Sequence, residues 1–333
     1  MKAKRALRVI GRVAVSGALA FLALTAFCLL YYSVPSHTEN ADGSTDFKWE
    51  PGVFYSRGTE GFASGRTNNE GFVNTFDYND DTHIDVLIMG SSQMEGFNVP
   101  ENETTAARLD EMLGGGTAYN IGISSHTFSM CCGNLEAALE KYRPSYVVIE
   151  TGTCVFSERS LQAVIDGAVK DLDSKAGGLL GLLQRNQYLR LLYSQFANYR
   201  DKAANAPVDA DEMPKGSIIN DAGLLSLLLK KISDTARAHG STLVILYHPG
   251  TALARDGSLA LTGSEDAASQ FAELCPEYGI IFLDMSERFI SEYERGYILP
   301  YGFANTPVGS GHLNKYGHEM IAEELYKIVS EAS

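Results

Sequence analysis

Val86-Leu87-Ile88-Met89-Gly90-Ser91-Ser92-Gln93-Met94-Glu95-Gly96 carries four apolar residues straight into a turn of small ones. An apolar run with no polar alternation suits a strand buried on both faces, as in a parallel sheet. On either side of it, apolar runs alternate with helical patterns: Val86 to Met89, 104–113, Ala118 to Ile123, 133–142 and Tyr146 to Ile149. Thr242 to Tyr247 and Ile280 to Leu283 continue the series, each after a helical stretch (224–238 and 265–278), and 315–330 closes the chain as an amphipathic helix. The alternation predicts βαβ units, a parallel five-stranded sheet and a three-layer α/β/α sandwich. Residues 155–215 lack strand signals and hold leucine-rich helical stretches, notably Leu179 to Tyr199, which predicts a helical insertion over one edge of the sheet.

With 333 residues and 45% hydrophobic content, the chain can bury a large core, which excludes global disorder and fibrous repeats. Its formal charge is −14, and five of its cations (Lys2, Lys4, Arg5, Arg8, Arg12) precede the first acid. The body is therefore more acidic still, and it repels nucleic-acid phosphate. Val13 to Tyr32 is apolar or small throughout and matches the roughly 20 residues that span a hydrocarbon core. After a basic start this reads as a signal anchor with its N-terminus inside. A cleaved signal peptide shares the charged start, and Cys28 offers a lipoprotein reading that bulky Phe27 disfavours. The expected organisation is a basic leader (1–12), a transmembrane signal anchor (13–32), a linker passing into an ordered lead-in (33–80) and one domain (81–333), with Ser33 onward outside the cytoplasm. Cys131, Cys132, Cys154 and Cys275 show no framework spacing and read as small buried hydrophobes.

A Gly-Ser turn leaving a parallel strand sets a hydroxyl at the carboxyl edge of the sheet, where α/β ligand sites lie, so Ser92 is a candidate nucleophile. Small residues there also simply permit a tight turn or cradle a phosphate, although no Walker or dinucleotide pattern follows. The second strand runs into Asn120-Ile121-Gly122-Ile123-Ser124, the third into Glu150-Thr151-Gly152-Thr153, and the late block is Gly311-His312-Leu313-Asn314-Lys315-Tyr316-Gly317-His318. In this order the blocks resemble the SGNH hydrolases, the GDSL esterase/lipase family, from about residue 84 to the C-terminus. The resemblance is nearest to membrane-anchored bacterial members that act on O-acyl groups of envelope polymers. It implies a flavodoxin-like fold and no cofactor, with Ser92 as nucleophile and His312 as general base. The backbone N–H groups of Ser92 and Gly122 would form the oxyanion hole. The family's Asn falls at Cys154 and its Asp at Gly309, so neither usual side chain is present. A backbone carbonyl or Asp284 is left to orient the imidazole.

Around these residues Asn120, His126, His248 and Asn314 are candidates to line the site, Asn120 and Asn314 by fixing turns through backbone hydrogen bonds. A satisfied loop histidine is the plainer reading of His126 and His248, and a surface or structural one of His318. With no H-E-x-x-H or paired-ligand spacing, no metal is expected. Tyr188, Leu189, Leu191, Leu192 and Phe196 in the insertion read as core or as an acyl-binding lid. The expected function is an extracytoplasmic serine esterase or O-acyltransferase acting on acyl esters of cell-envelope glycans or related polymers. Its partners would be the acylated glycan, the membrane and a membrane protein supplying acyl donor. The alternative is a catalytically degenerate domain that binds polysaccharide or serves in assembly.

Overall fold

The computed structural model describes residues 2–39, 45–169, 186–204, 220–254 and 256–331. Residues 170–185 and 205–215 of the expected insertion lie outside the described residues. Five parallel strands, β1 (Val86–Met89), β2 (Ala118–Asn120), β3 (Tyr146–Thr151), β4 (Thr242–Tyr247) and β5 (Ile281–Asp284), pair in the order β2-β1-β3-β4-β5. Side chains alternate between the two faces of the sheet, as a period of two requires. Leu87, Met89, Val147, Ile149, Leu243 and Ile245 join one apolar layer, with helices Leu135–Tyr142, Ala222–Ala238 and Glu265–Leu274 over it. Val86, Ile88, Val148, Val244 and Leu246 join the other, under Thr105–Leu113, Ser286–Gly296 and Lys315–Glu331. The result is a three-layer α/β/α sandwich.

The β1–β2 crossover helix lies on the second layer and the next three crossovers on the first. Strand order therefore reverses between β1 and β3, and the ligand crevice of such a sheet opens at their carboxyl ends. β2 stops at Asn120, short of the expected Ile123, because Asn120 turns the chain with its side chain, accepting from Gly122 N–H at 2.8 Å. Before β2, the Asp110 carboxylate takes the N–H groups of Gly116, Thr117 and Ala118 at 2.9, 2.7 and 2.9 Å, which seats the glycine-rich turn.

Ahead of the sandwich, Lys2–Tyr31 is one helix, long and apolar enough to cross a membrane. Tyr32–Ser33, Phe54–Arg57 and Ala63–Arg66 then form a small antiparallel sheet. Tyr55 stacks on Phe97 with ring centroids 4.3 Å apart, and Trp49 Nε1 donates to buried Glu95 at 2.8 Å, so this lead-in is packed onto the sandwich. Its loop 58–62 is thereby carried up to the crevice. All five cysteines are free and buried. Of the insertion residues, Leu191 packs against the first core layer, whereas Leu192 and Phe196 are exposed, which corrects their reading as core.

Candidate active site

β1 is followed by Gly90, where a Cβ would meet Glu150 Oε2 at 2.6 Å, so only glycine lets the turn come this close to β3. Ser91 Oγ then accepts from Gln93 N–H at 3.3 Å and caps the short helix Ser92–Glu95. Capping leaves Ser92 as the first helical residue, with its hydroxyl in the crevice. Ser92 Oγ lies 2.9 Å from His312 Nε2. The other ring nitrogen, Nδ1, is 2.7 Å from Glu60 Oε2, and the backbone N–H of His312 donates to Glu60 Oε1 at 2.6 Å. Leu313 N–H donates to Gln93 Oε1 at 2.8 Å, which ties the histidine turn to the serine helix. Hydroxyl, imidazole and carboxylate thus form one continuous line, the arrangement that lets an imidazole accept a hydroxyl proton while its charge is held by an acid.

Glu60 corrects the expectation about what orients His312. Gly309 O instead accepts from Thr251 Oγ1 at 3.1 Å, and the Asp284 carboxylate accepts from Ser286 N–H at 2.8 Å and Ser286 Oγ at 2.5 Å. Glu60 sits in the lead-in, 252 residues before the histidine, and no motif marks it. The one trace is Gly311: a Cβ there would meet Glu60 Oε1 at 2.2 Å, so the glycine before the histidine is the space the carboxylate needs. Burial alone would raise the Glu60 carboxyl, but the hydrogen bonds and charge of His312, together with Arg57, outweigh it and hold the group below its usual value. The pair therefore contributes stability in full above the ordinary carboxylate range, and this is lost as pH falls through the depressed folded value.

The second turn differs from the expected donor set. Gly122 N–H points at Asn120 Oδ1, and Asn120 Nδ2 donates to Met94 O at 2.9 Å, so buried Asn120 fastens this turn to the serine helix. Ser92 N–H, first in its helix, has no intrahelical acceptor. Cys154 is buried in the first core layer, its backbone O taken by Asn220 Nδ2 at 2.8 Å. Removing the amide of Asn120 leaves Gly122 N–H and Met94 O without it. Asn120→Ala is therefore expected to lower stability by about 1–3 kcal/mol, read as a reduced urea midpoint at unchanged slope.

Behind the serine turn lies a second set of groups that the motif pattern did not connect. Glu150 Oε2 accepts Ser91 N–H at 2.6 Å, and Glu150 Oε1 is 2.6 Å from His248 Nε2. His248 Nδ1 is 2.7 Å from Tyr301 Oη, whose proton goes to the carbonyls of His248 and Pro249, each at 3.0 Å. Both side chains of the His248–Glu150 pair are 2% exposed. Burial pushes the Glu150 carboxyl up, but His248 and the Ser91 donor more than reverse it, and the net direction is down.

Among the remaining candidates, His318 is buried with Nδ1 facing Thr105 N–H at 3.2 Å and Thr105 Oγ1 at 2.8 Å, which joins the last helix to Thr105–Leu113. Burial, with the charges of His248 and His312, takes its pKa down to about 3, so it is neutral and structural. Asn314 donates to Leu299 O at 2.8 Å and accepts from Tyr316 N–H at 2.9 Å, bracing the turn after His312. His126 lines a hollow of about 340 Å³ with Phe128, Val155 and Phe156. That hollow shares Ser91, Glu150 and Gly152 with the main cleft, about 440 Å³, which is lined by Ser92, Gln93, His248, Thr251, Tyr301 and Ser310. No group of three or more potential metal ligands occurs among the described residues.

No family model matches the sequence, and no curated protein does. Solved structures do show similarity. An acetyl xylan esterase aligns at 12% identity over 74% of this chain and 100% of its own, with a TM-score of 0.43. A psychrotrophic esterase from a Pseudoalteromonas species aligns at 13% identity over 74% and 96%, TM-score 0.39. A family 3 carbohydrate esterase from Clostridium thermocellum aligns at 14% identity over 75% and 98%, TM-score 0.36.

Proposed function

We propose that this chain is a serine esterase or O-acyltransferase of the SGNH type, anchored in a membrane by Lys2–Tyr31, whose catalytic domain lies outside the cytoplasm and acts on acyl esters of cell-envelope glycans. The observation that carries the reading is the continuous Ser92–His312–Glu60 line at the carboxyl edge of the sheet. In the first step Ser92 Oγ bonds to the ester carbonyl carbon while its proton passes to His312 Nε2. Glu60 holds Nδ1–H and balances the imidazolium. Ser92 N–H stabilises the oxyanion first, since Gly122 N–H is already engaged by Asn120. Collapse breaks the ester C–O bond, and the leaving alkoxide takes the proton from His312. Water or a glycan hydroxyl then attacks the acyl-serine, giving up its proton to His312, and Ser92 is restored. The choice of acceptor separates hydrolysis from transfer, since both share the acyl-enzyme.

Support for the location is the basic start before an apolar helix of spanning length. Support for a glycan is a hollow of about 240 Å³ adjoining the Glu60 loop, where Phe62, 77% exposed, and Tyr316 stand among Asn98, Asn314 and Lys315. Flat aromatic faces among hydrogen-bonding groups suit sugar rings. Phe62→Ala is expected to raise KM for an acetylated oligosaccharide about three- to tenfold while leaving kcat/KM for p-nitrophenyl acetate unchanged, since stacking is worth about 0.5–1.5 kcal/mol.

The direct test is labelling of the full chain in detergent by a fluorophosphonate, read by intact mass. Wild type gains one adduct, whereas Ser92→Ala and His312→Ala gain none. A folded wild type that takes no label overturns the enzyme reading. It would leave the degenerate polysaccharide-binding module, which the burial of Cys154 and the engaged Gly122 N–H favour, to be tested by glycan binding.

A further inference from the structure

The insertion contains a helix, Gln187–Ala204, that the active-site chemistry does not use. Its first turn packs against the apolar N-terminal helix: the Tyr188 and Phe21 rings are 6.0 Å apart, and Asn186 Nδ2 donates to Thr25 Oγ1 at 3.3 Å. Arg190 Nη1 donates to Val34 O at 2.8 Å and Pro35 O at 3.3 Å, so the same helix also grips the chain where it leaves the apolar run. Thr25 and Phe21 precede Tyr32, the end of that run, by seven and eleven residues. At about 1.5 Å per residue they lie about 10 and 16 Å inside it.

Spacing then decides which side of Gln187–Ala204 meets what. At 100° per residue, Leu189, Leu192, Tyr193 and Phe196 share one arc beside Tyr188. Leu191 falls outside that arc and packs on the core. Leu192, Tyr193 and Phe196 are 47%, 47% and 66% exposed, so among the described residues an apolar face continues the exposed apolar surface of the neighbouring helix. Such a face, contiguous with a membrane span, is what an interfacial helix presents to acyl chains.

We propose that Gln187–Ala204 lies in the extracytoplasmic leaflet of the bilayer beside Lys2–Tyr31, its Leu189, Leu192, Tyr193 and Phe196 face in contact with lipid. The inference rests on the membrane-anchor reading of Lys2–Tyr31. It gives the catalytic domain two points of attachment, one spanning and one interfacial, and so a set orientation on the lipid surface. The neighbouring lead-in, which carries Glu60, is continuous with the span, so the same docking holds the catalytic cleft at a set height above the lipid.

Depth-dependent quenching tests it on the full chain in phosphatidylcholine–phosphatidylglycerol vesicles. The native cysteines are buried, so a nitrobenzoxadiazole dye can be attached at single introduced ones, with unsubstituted protein as the blank. Leu22→Cys reports the span, Phe196→Cys the interfacial helix, and Tyr297→Cys, on the second helical layer, the exposed catalytic domain. Nitroxide-labelled lipids are expected to quench dye at Leu22→Cys and at Phe196→Cys and to leave Tyr297→Cys bright. Quenching at Leu22→Cys with Phe196→Cys as bright as Tyr297→Cys would overturn the proposal and spare the anchor. No quenching at Leu22→Cys would overturn both.

Discussion

Glu60→Gln is expected to lower kcat for the proposed ester hydrolysis by about 10²–10⁴-fold while the chain stays folded, because an amide can still reach His312 but cannot balance an imidazolium. The carboxylate makes two bonds at once, to the ring at 2.7 Å and to the backbone N–H at 2.6 Å. Gln keeps an acceptor for one of them, and when its amide nitrogen faces Nδ1 the ring is driven toward the wrong tautomer. KM for a small ester changes little, since Glu60 touches His312 and not the bound acyl group. A merely structural Glu60 would give the opposite pattern, a fallen urea midpoint with near-normal kcat in the folded fraction. Steady-state kinetics on p-nitrophenyl acetate beside an equilibrium unfolding curve separates the two.

His248→Ala is expected to destabilise the fold by about 3–5 kcal/mol, since it strands a carboxylate in the interior. Glu150 is 2% exposed and loses both a charge partner and a hydrogen bond, so the group that the histidine now holds ionised would be driven toward its neutral form. Removing both charges together does not restore stability here. Exchanging a buried pair for apolar residues is often neutral, but Glu150 also accepts Ser91 N–H, which would be orphaned, and Tyr301 Oη would lose its contact with the His248 ring while keeping the carbonyls of His248 and Pro249. Glu150→Met combined with His248→Leu is therefore expected to remain well below wild type in a urea unfolding series. A double variant as stable as wild type would show that neither Ser91 N–H nor Tyr301 Oη depends on the pair.

Much of this was written along the chain. Each strand of the sheet is a short apolar run, and helices with apolar spacing separate the strands, so the parallel three-layer class follows from local pattern, whereas the order of the strands and the switch point between β1 and β3 came from the fold. Ser92 was legible from the turn that leaves β1, whereas His312 was singled out by the resemblance its block carries. The structure sets them 2.9 Å apart although 220 residues separate them.

Glu60 was not legible, because an acid in a loop of small residues carries no periodic signal and its partner lies beyond the whole sheet in sequence. Likewise, Glu150 and His248 appear in the sequence as a strand residue and a loop residue, and only adjacency of β3 and β4 makes them a pair. The orientation of Gly122 N–H toward Asn120 depends on one side-chain torsion that composition does not record. The insertion shows the same division: helical spacing marks an apolar face on 187–196, and only packing tells whether core or solvent lies against it. By itself, then, the sequence determined what each local segment becomes, since backbone propensity and burial period act over a few residues. Which distant groups meet was decided by tertiary structure, because the contacts that orient an imidazole or bury an ion pair exist only when the sheet has closed the distance between them.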